Sequence, residues 1–591
     1  MVRSKQIQGL RAVAVILVLL FHAGWLPGGY VGVDVFYVIS GYLITNLIVS
    51  DQSFSFANFY ARRAKRLLPS AYLVLLVTAI VFWLIAPSIS RIQFAKDLVA
   101  STWYLSNISF AFWQNDYQNL GAEPSVLIHY WSLAVEEQFY FIWPLLVIVF
   151  RRHLKLMVFS IFIGSFALSL FTLERFPIWA FYSLPTRAFE LAIGAFLALS
   201  VSAKRVRIDR ADRSIVSWIL LGLIVASSVF FDAESAFPGF PALVPTLGAA
   251  GLILLNSKNP LLENLVFQKL GDWSYSIYLW HWPLLILPTM YLNRELTTFE
   301  KILVLGICIV IGAITYMFYE NPIRHMNLKP KRIFGLTLIS ALTLSGLAFS
   351  IFTSGNQAAV AMNLSEIRKQ PIIYDEGCQL DKRSSKPKDD CVYGDRNSSI
   401  NVVLLGDSHA AQWFPAIDRW AQNRGYRLVV MTKSSCPAAN LSLRDVGGFK
   451  SSICNQFREA AIKKINILNP VLLIVGSSEN HKYVGKEEYL KLPQTNSEML
   501  VLQDTPWPNR DIPTCLAKEP KSERCATLRP EQVSYTGFNT FDPIPLLCDK
   551  ARCPAVIDGV VAYRDHSHIS VAMALKLYDD LAIILDNAVA R

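Results

Sequence analysis

The chain has 591 residues, 53% of them hydrophobic, and a mean hydropathy of +0.35. It is too long for one domain and too apolar for a soluble protein. Its formal charge of +11 gathers in short segments between apolar runs, which makes it a sign of membrane orientation rather than of nucleic-acid binding.

Runs of roughly 17–25 apolar residues, the length that crosses ~30 Å of hydrocarbon, recur from Ile7 to about Phe352 and then stop. Eleven spans fit, near 7–26, 30–49, 68–87, 138–150, 156–173, 181–200, 214–231, 241–255, 272–292, 299–319 and 333–353. The first lacks a small-residue cleavage site, so it is expected to persist as a helix rather than be removed as a signal peptide. Lys and Arg near span ends favour the cytoplasmic side. Under this count Arg3 and Lys5, Arg62 to Arg66, Arg151 to Lys155, Lys204 to Arg213 and Arg324 to Arg332 all fall on one side. The N-terminus is therefore expected inside, and everything after residue 353 outside.

Within the spans, Arg11 and His22 are eleven residues apart, which places them within roughly 20° of one helix face and ~16 Å apart along the axis. That spacing puts His22 deep, where an ionisable group usually faces a protein interior or a wet cavity. A structural hydrogen bond between helices is the alternative for His22 alone. Arg62-Arg63-x-x-Arg66-x-x-Pro69 follows span two on the cytoplasmic side, either as a topology anchor or as a grip for phosphates. Trp131 to Tyr140 carries Glu136 and Glu137 to the mouth of span four, towards the outside, as a buried acid or base or as solvated surface.

Beyond the last span, residues 354–400 are polar and without period, a linker and entry segment. Asn401 to Leu405 reads as a buried strand, ending in Gly406-Asp407-Ser408-His409 before a helical pattern from Ala410 to Asn423. Apolar runs at Arg427–Met431, Val471–Val475 and Met499–Leu502 alternate with helical stretches, the pattern of a parallel sheet covered on both faces. Ligands bind such sheets outside the carboxyl ends of the strands, where Ser408 would sit. A serine nucleophile needs a base and usually a carboxylate to orient it. Asp565-His566-Ser567-His568, just before the last helix, supplies both, with His566 and His409 as neighbours rather than participants. The bland alternative makes Ser408 a helix cap and His568 a surface residue. Eight of the nine cysteines, Cys378, Cys391, Cys436, Cys454, Cys515, Cys525, Cys548 and Cys553, lie in this part of the chain. They are expected to form disulfides between sequence neighbours in an oxidising compartment, since no C-x2-C pair recurs with metal spacing.

Gly406-Asp407-Ser408-His409 early and Asp565-x-x-His568 late resemble the SGNH hydrolase superfamily, in the variety fused behind membrane acyltransferases. The resemblance implies Ser408 as nucleophile, His568 as general base and Asp565 as its orienter. The sequence departs from that family at the oxyanion donors: Ser434-Ser435-Cys436-Pro437 stands where a glycine block would fall, and Asn480 is a stand-in for the asparagine. Gly32 to Gly41, Trp131 to Tyr140, Arg187-x-x-Glu190, Tyr278 to Pro283 and Glu320-Asn321-Pro322, in that order, resemble the acyltransferase-three family. What this implies is acetyl-CoA as cytoplasmic donor, with no bound cofactor or metal, and Arg11, His22, Arg63, Arg66 and Glu136 as functional positions.

The fold class is thus a multi-pass all-α membrane domain (1–353), then the segment 354–400, then an α/β three-layer SGNH-like domain with a flavodoxin-like parallel sheet (401–591). The expected function is acetyl transfer across a bacterial inner membrane, in contact with the lipid bilayer, to a surface or lipid-linked glycan in the periplasm. The family resemblance points to lipopolysaccharide O-antigen first, with peptidoglycan or exopolysaccharide as the alternative. A membrane-anchored carbohydrate esterase, and a transporter or glycan-binding module with a degenerate triad, are the rivals from other classes.

Overall fold

The computed structural model describes residues 4–51, 53–112, 124–201, 210–232, 235–255, 259–292, 294–382, 384–441, 443, 451–479, 486–508, 510–519, 522–531, 533–535 and 537–590. The chain divides into two compact units, one of residues 1–86 and 91–354, the other of 87–90 and 355–591.

The first unit is all helical. Its principal helices are α1 (Lys5–His22), α2 (Gly32–Ser50), α3 (Phe56–Ile85), α4 (Tyr130–Val149), α5 (Leu154–Arg175), α6 (Leu184–Val201), α7 (Arg210–Phe230), α8 (Leu243–Leu255), α9 (Leu265–Leu292), α10 (Thr298–Thr315) and α11 (Pro330–Ala361). One helix stands at each of the eleven expected spans. Among the described residues, eight meet the length and hydropathy of a membrane-crossing helix. The helices α6, α8 and α9 are not among these eight, and α8 has only 13 residues.

Two expectations shift. The helix α3 starts at Phe56, capped by Ser55, whose side chain accepts from the Asn58 amide, whereas hydropathy alone begins the span at residue 68. The arginines Arg62, Arg63 and Arg66 depress the average, yet they lie two to three turns inside the helix. The helix α4 starts at Tyr130, eight residues before the expected 138, so Glu136 lies inside it rather than at its mouth. His22 is the last residue of α1 and faces the protein interior; beyond it Gly24, with φ +78°, and Pro27 turn the chain away.

Small residues allow α2 and α6 to cross closely. A Cβ on Gly41 would lie 2.0 Å from the Leu191 carbonyl, and one on Gly194 2.0 Å from that of Val38. At the same crossing Arg187 reaches Asp34 (3.1 Å) and Glu190 (3.1 Å), all three fully buried. This part of the Arg187-x-x-Glu190 motif therefore fastens helices together.

The second unit is built on strands β1 (Gln379–Leu380), β2 (Val392–Gly394), β3 (Asn401–Gly406), β4 (Arg427–Lys433), β5 (Leu472–Gly476), β6 (Met499–Leu502) and β7 (Asn539–Phe541). The order is β1-β4-β3-β5-β6-β7, all parallel, with β2 pairing antiparallel to β4. The core order β4-β3-β5-β6-β7 is the flavodoxin-like 2-1-3-4-5.

Alternate residues of each strand serve different layers. Val402, Leu404, Leu428, Ile474 and Leu500 pack with Trp420 and Leu585, on helices α12 (Phe414–Arg424) and α14 (Tyr578–Val589). Val403, Leu405, Val429 and Leu473 pack with Phe457, Ala461 and Ile465 on α13 (Ser451–Leu468). The strands are thus apolar on both faces, as a sheet sandwiched by helices requires.

The segment read as a linker contributes β1 and β2, pinned by the disulfide Cys378–Cys391. Cys436–Cys454, Cys515–Cys525 and Cys548–Cys553 complete the set, so the cysteines pair with their sequence neighbours. Cys308 is free and buried in α10.

Candidate functional site

The membrane unit holds a cleft lined by Arg11, Arg63, Arg66, Glu136, Tyr140 and Ser40, among others. Glu136 Oε1 accepts from the hydroxyls of Ser40 and Tyr140. The Arg63 guanidinium lies 5.1 Å from the Tyr140 ring centroid. Three arginines and one carboxylate line the cleft, a basic lining suited to phosphate groups, with Glu137 and Glu320 close enough to act on the same arginines. Arg62 takes no part, being exposed and 3.8 Å from Asp51.

His22 does not line this cleft. It lies about three turns from Arg11 along α1, where its Nδ1 is 3.0 Å from the Val18 carbonyl and 3.0 Å from His281 Nε2. The rings of His281 and His129 are 5.4 Å apart, and His129 Nε2 donates to the Leu279 carbonyl at 3.1 Å. His281 Nδ1 is held by the Tyr278 carbonyl, which leaves its Nε2 as an acceptor and assigns the His22 proton to Nδ1. His129 and His281 escaped the reading of the sequence, although His281 stands in the Tyr278 to Pro283 motif.

The second unit places its chemistry at the sheet's switch point, between the carboxyl ends of β3 and β5. Gly406, with φ +151°, ends β3 where a Cβ would lie 1.9 Å from the Gly476 carbonyl of β5. Asp407 caps the turn Ser408–Ala411 by accepting from the His409 amide (2.8 Å), and its other oxygen accepts from the Ser478 amide (2.9 Å). Asp407 thus ties the two strand ends together and raises Ser408 at the start of a helical turn. The Ser408 amide is one that a helix start leaves unused.

His568 arrives on the segment before the final helices. Ile569 donates to Gln412 Oε1 at 2.8 Å, which fastens that segment one turn beyond Ser408. His568 Nδ1 lies 2.9 Å from Asp565 Oδ2, so the neutral ring carries its lone pair on Nε2, a buried atom without a hydrogen-bond partner among the described residues. Burial opposes charge on Asp565, but the His568 ring and the amides of His568 and Ser567, each at 2.8 Å, hold it well below the usual carboxylate range. Burial lowers the His568 pKa, the nearby His409 lowers it further, and Asp565 opposes both. A neutral imidazole oriented by a carboxylate is a competent general base.

The oxyanion donors are less defined. Ser435, at the end of β4, adopts φ +57°, and Asn480 lies outside the described residues. Its neighbour Glu479 accepts from the Tyr535 hydroxyl at 2.9 Å, and burial followed by repulsion from Asp504 pushes its carboxyl up to about 7. Also missed in the sequence is Asp504, whose Oδ1 is 2.6 Å from Nδ1 of His409. A residue 95 positions away leaves no local signal. Among the described residues no cluster of three or more metal-ligating side chains occurs.

Residues 4–320 match the family model of an acyltransferase domain, and residues 377–582 that of an SGNH domain fused to AT3 domains. The peptidoglycan O-acetyltransferase OatA of Listeria monocytogenes is 31% identical over 405 residues, covering 62% of this chain and 65% of that one. The O-acetyltransferase OatA of Staphylococcus aureus is 32% identical over 350 residues, covering 55% of this chain and 57% of that one. The chain thus matches less than two thirds of either relative's length. The solved periplasmic domain of the Salmonella ser. Paratyphi A lipopolysaccharide acetyltransferase covers 39% of this chain and 97% of its own, at 14% identity and a TM-score of 0.28. With more than half its length matched by the first model, the chain belongs to the acyltransferase family, in the form whose membrane domain is followed by a fused SGNH domain.

Proposed function

We propose that this protein is a membrane O-acetyltransferase that takes an acetyl group from cytoplasmic acetyl-CoA and places it on a hydroxyl of a cell-wall glycan. The carrying observation is that one chain holds both an arginine-lined cleft in a bundle of apolar helices and a serine, histidine and aspartate set in a disulfide-bonded domain. CoA carries phosphates that do not cross hydrocarbon, so an arginine-lined site facing the cytoplasm suits the donor. Arg11, Arg63 and Arg66 bind it there, and Glu136, held by Ser40 and Tyr140, orients their charges. His22, its Nδ1 proton directed by Val18 and His281, serves as base or transient carrier. Disulfides belong to an oxidising compartment, which supports a periplasmic second domain, and the basic residues near the span ends support a cytoplasmic N-terminus.

There Ser408 attacks the carbonyl of the acetyl group handed on by the membrane domain as His568 takes the serine proton; the bond between the acetyl group and its carrier breaks, and His568 returns the proton to the departing carrier. The resulting acetyl-serine passes its acyl group to a sugar hydroxyl that His568 deprotonates in turn. The O-antigen expected from the sequence gives way to peptidoglycan, because the relatives matched here include one named for peptidoglycan O-acetylation.

The test compares mass spectra of purified peptidoglycan and lipopolysaccharide from cells with the native protein, His22→Ala or Ser408→Ala, alongside acetyl-CoA consumption by their membranes. Native cells are expected to acetylate peptidoglycan. His22→Ala is expected to lose acetyl-CoA consumption as well as product, and Ser408→Ala to lose product while retaining slow CoA release. Acetylation confined to lipopolysaccharide would reject the acceptor, and full glycan acetylation by His22→Ala would reduce the membrane domain to an anchor.

A further inference from the structure

Two histidine and carboxylate pairs meet ring to ring in the second unit, and the proposed reaction uses one of them, His568 with Asp565. The other is His409 with Asp504, whose side chains are 3% and 6% exposed. Asp504 stands just beyond the end of β6 and receives four donors: His409 Nδ1 at 2.6 Å, the Thr505 amide at 2.8 Å, the Glu479 amide at 2.8 Å and the Trp507 indole at 2.9 Å. That fills the acceptor positions of a carboxylate and fixes its orientation. Trp507 also stacks on the His409 ring, nearly parallel at 4.9 Å. The His409 ring also meets His568, tilted by 41° with centroids 4.8 Å apart.

We propose that His409, clamped by Asp504 and Trp507 against His568, is a positioning residue of the Ser408 site that holds a positive charge and keeps His568 in its proton-accepting form. The proposal rests on Ser408 and His568 as nucleophile and base. It goes beyond them by giving the His409 of Gly-Asp-Ser-His a task of its own.

The surroundings of the two rings differ in the required sense. Around His409 stand Asp504 from the β6 end, Asp407 from its own turn and Asp565 from the C-terminal segment. Burial disfavours its charge, but these three carboxylates outweigh burial and raise its pKa. Around His568 stand Asp565, Arg564 and His409. Burial lowers its pKa, and the two cations add to that against Asp565. Two titratable groups pushed apart by their environments divide the roles of charge holder and base. A charge on His409 also opposes an imidazolium at His568 once the base has taken the serine proton, which favours its prompt return to the leaving group or product.

The sign of the effect follows. Activity needs neutral His568, and removing the neighbouring charge raises the pKa of that ring. The acid limb of activity therefore moves to higher pH, by roughly one unit for a charge ~5 Å away at an effective dielectric of a few tens. His409→Gln removes the charge directly. Asp504→Asn removes the carboxylate that sustains it. Both shift the limb in the same direction, while the alkaline plateau, where His568 is neutral in any case, stays within about threefold of the native rate.

The measurement is the rate at which a fluorescent fluorophosphonate labels the full-length protein in membranes between pH 5 and 9, with Ser408→Ala as the blank. An upward shift of the midpoint in both variants, at a preserved plateau, supports the proposal. Midpoints unchanged in either variant overturn it. So does a plateau reduced more than tenfold in both, since His409 and Asp504 would then serve the fold or the reacting groups themselves. Native protein whose labelling does not depend on Ser408 overturns the nucleophile, and this role with it.

Discussion

Gly406→Ala tests how the strand ends hold the nucleophile. The added Cβ would stand 1.9 Å from the Gly476 carbonyl and 2.8 Å from Ala410 Cβ, where real Cβ contacts essentially never fall below 3.0 Å. The Gly476 obstacle is backbone in the middle of a parallel sheet, so it cannot swing aside. Strands β3 and β5 would have to part by about 1.1 Å at the switch point, and alanine would also be held at φ +151°. Overpacking costs about 1–3 kcal/mol and a strained backbone position about 1–3 kcal/mol, or roughly 2–6 kcal/mol together. A nucleophile displaced by ~1 Å loses about a hundredfold in rate, so the chemical loss should exceed what partial unfolding explains.

Gly476→Ala is the comparison, because there the added Cβ meets Ala410 at 3.1 Å and Leu502 Cβ at 3.4 Å, a tight fit that small shifts relieve. Two readings on full-length protein in detergent check this: fluorophosphonate labelling of Ser408, and thermal unfolding followed by protease resistance of the second domain. Gly406→Ala is expected to unfold at least 5 °C lower and to label at most one-hundredth as fast, with Gly476→Ala within fivefold of native. Native labelling in Gly406→Ala would refute the claim that close approach of these strands sets Ser408 in place.

Asp565→Asn is expected to cut acetyl transfer by about 10⁴-fold, the order seen where a base loses its orienting carboxylate; residual activity above one-tenth would remove Asp565 from the mechanism. Because its pKa is depressed in the folded state, the Asp565 carboxylate stabilises the fold fully above the ordinary aspartate value near 3.9. That stabilisation is lost as pH falls through the folded value, so native protein should lose melting temperature below about pH 4 more steeply than Asp565→Asn. Arg187→Met leaves Asp34 and Glu190 buried without their cation, a loss of about 3–5 kcal/mol. It should lower the amount of folded protein in membranes, measured by detergent-stable gel filtration, with acetylation per folded molecule little changed. Cys378→Ser with Cys391→Ser opens a bridge of sequence separation 13, worth about 3 kcal/mol by loop entropy. Protease resistance of the second domain should fall, and unchanged resistance would deny β1 and β2 a part in its stability.

The sequence by itself determined the features that rest on local pattern. Apolar length placed a helix at each of eleven segments, because hydrocarbon demands satisfied backbone over a fixed distance whatever the neighbours are. Alternating runs and a strand-turn-helix around Gly406-Asp407-Ser408 announced the parallel sheet, and cysteines clustered in twos announced their partners. Tertiary structure alone decided what depends on apposition. Glu136 entered the cleft with Arg63 and Arg66 because those charges, which depress hydropathy and shift the apparent ends of α3 and α4, are compensated inside the bundle. The join of His22 to His281 spans 259 positions, and that of His409 to Asp504 spans 95. No periodicity encodes such pairs, because they arise only when separate helices or strand ends are packed side by side.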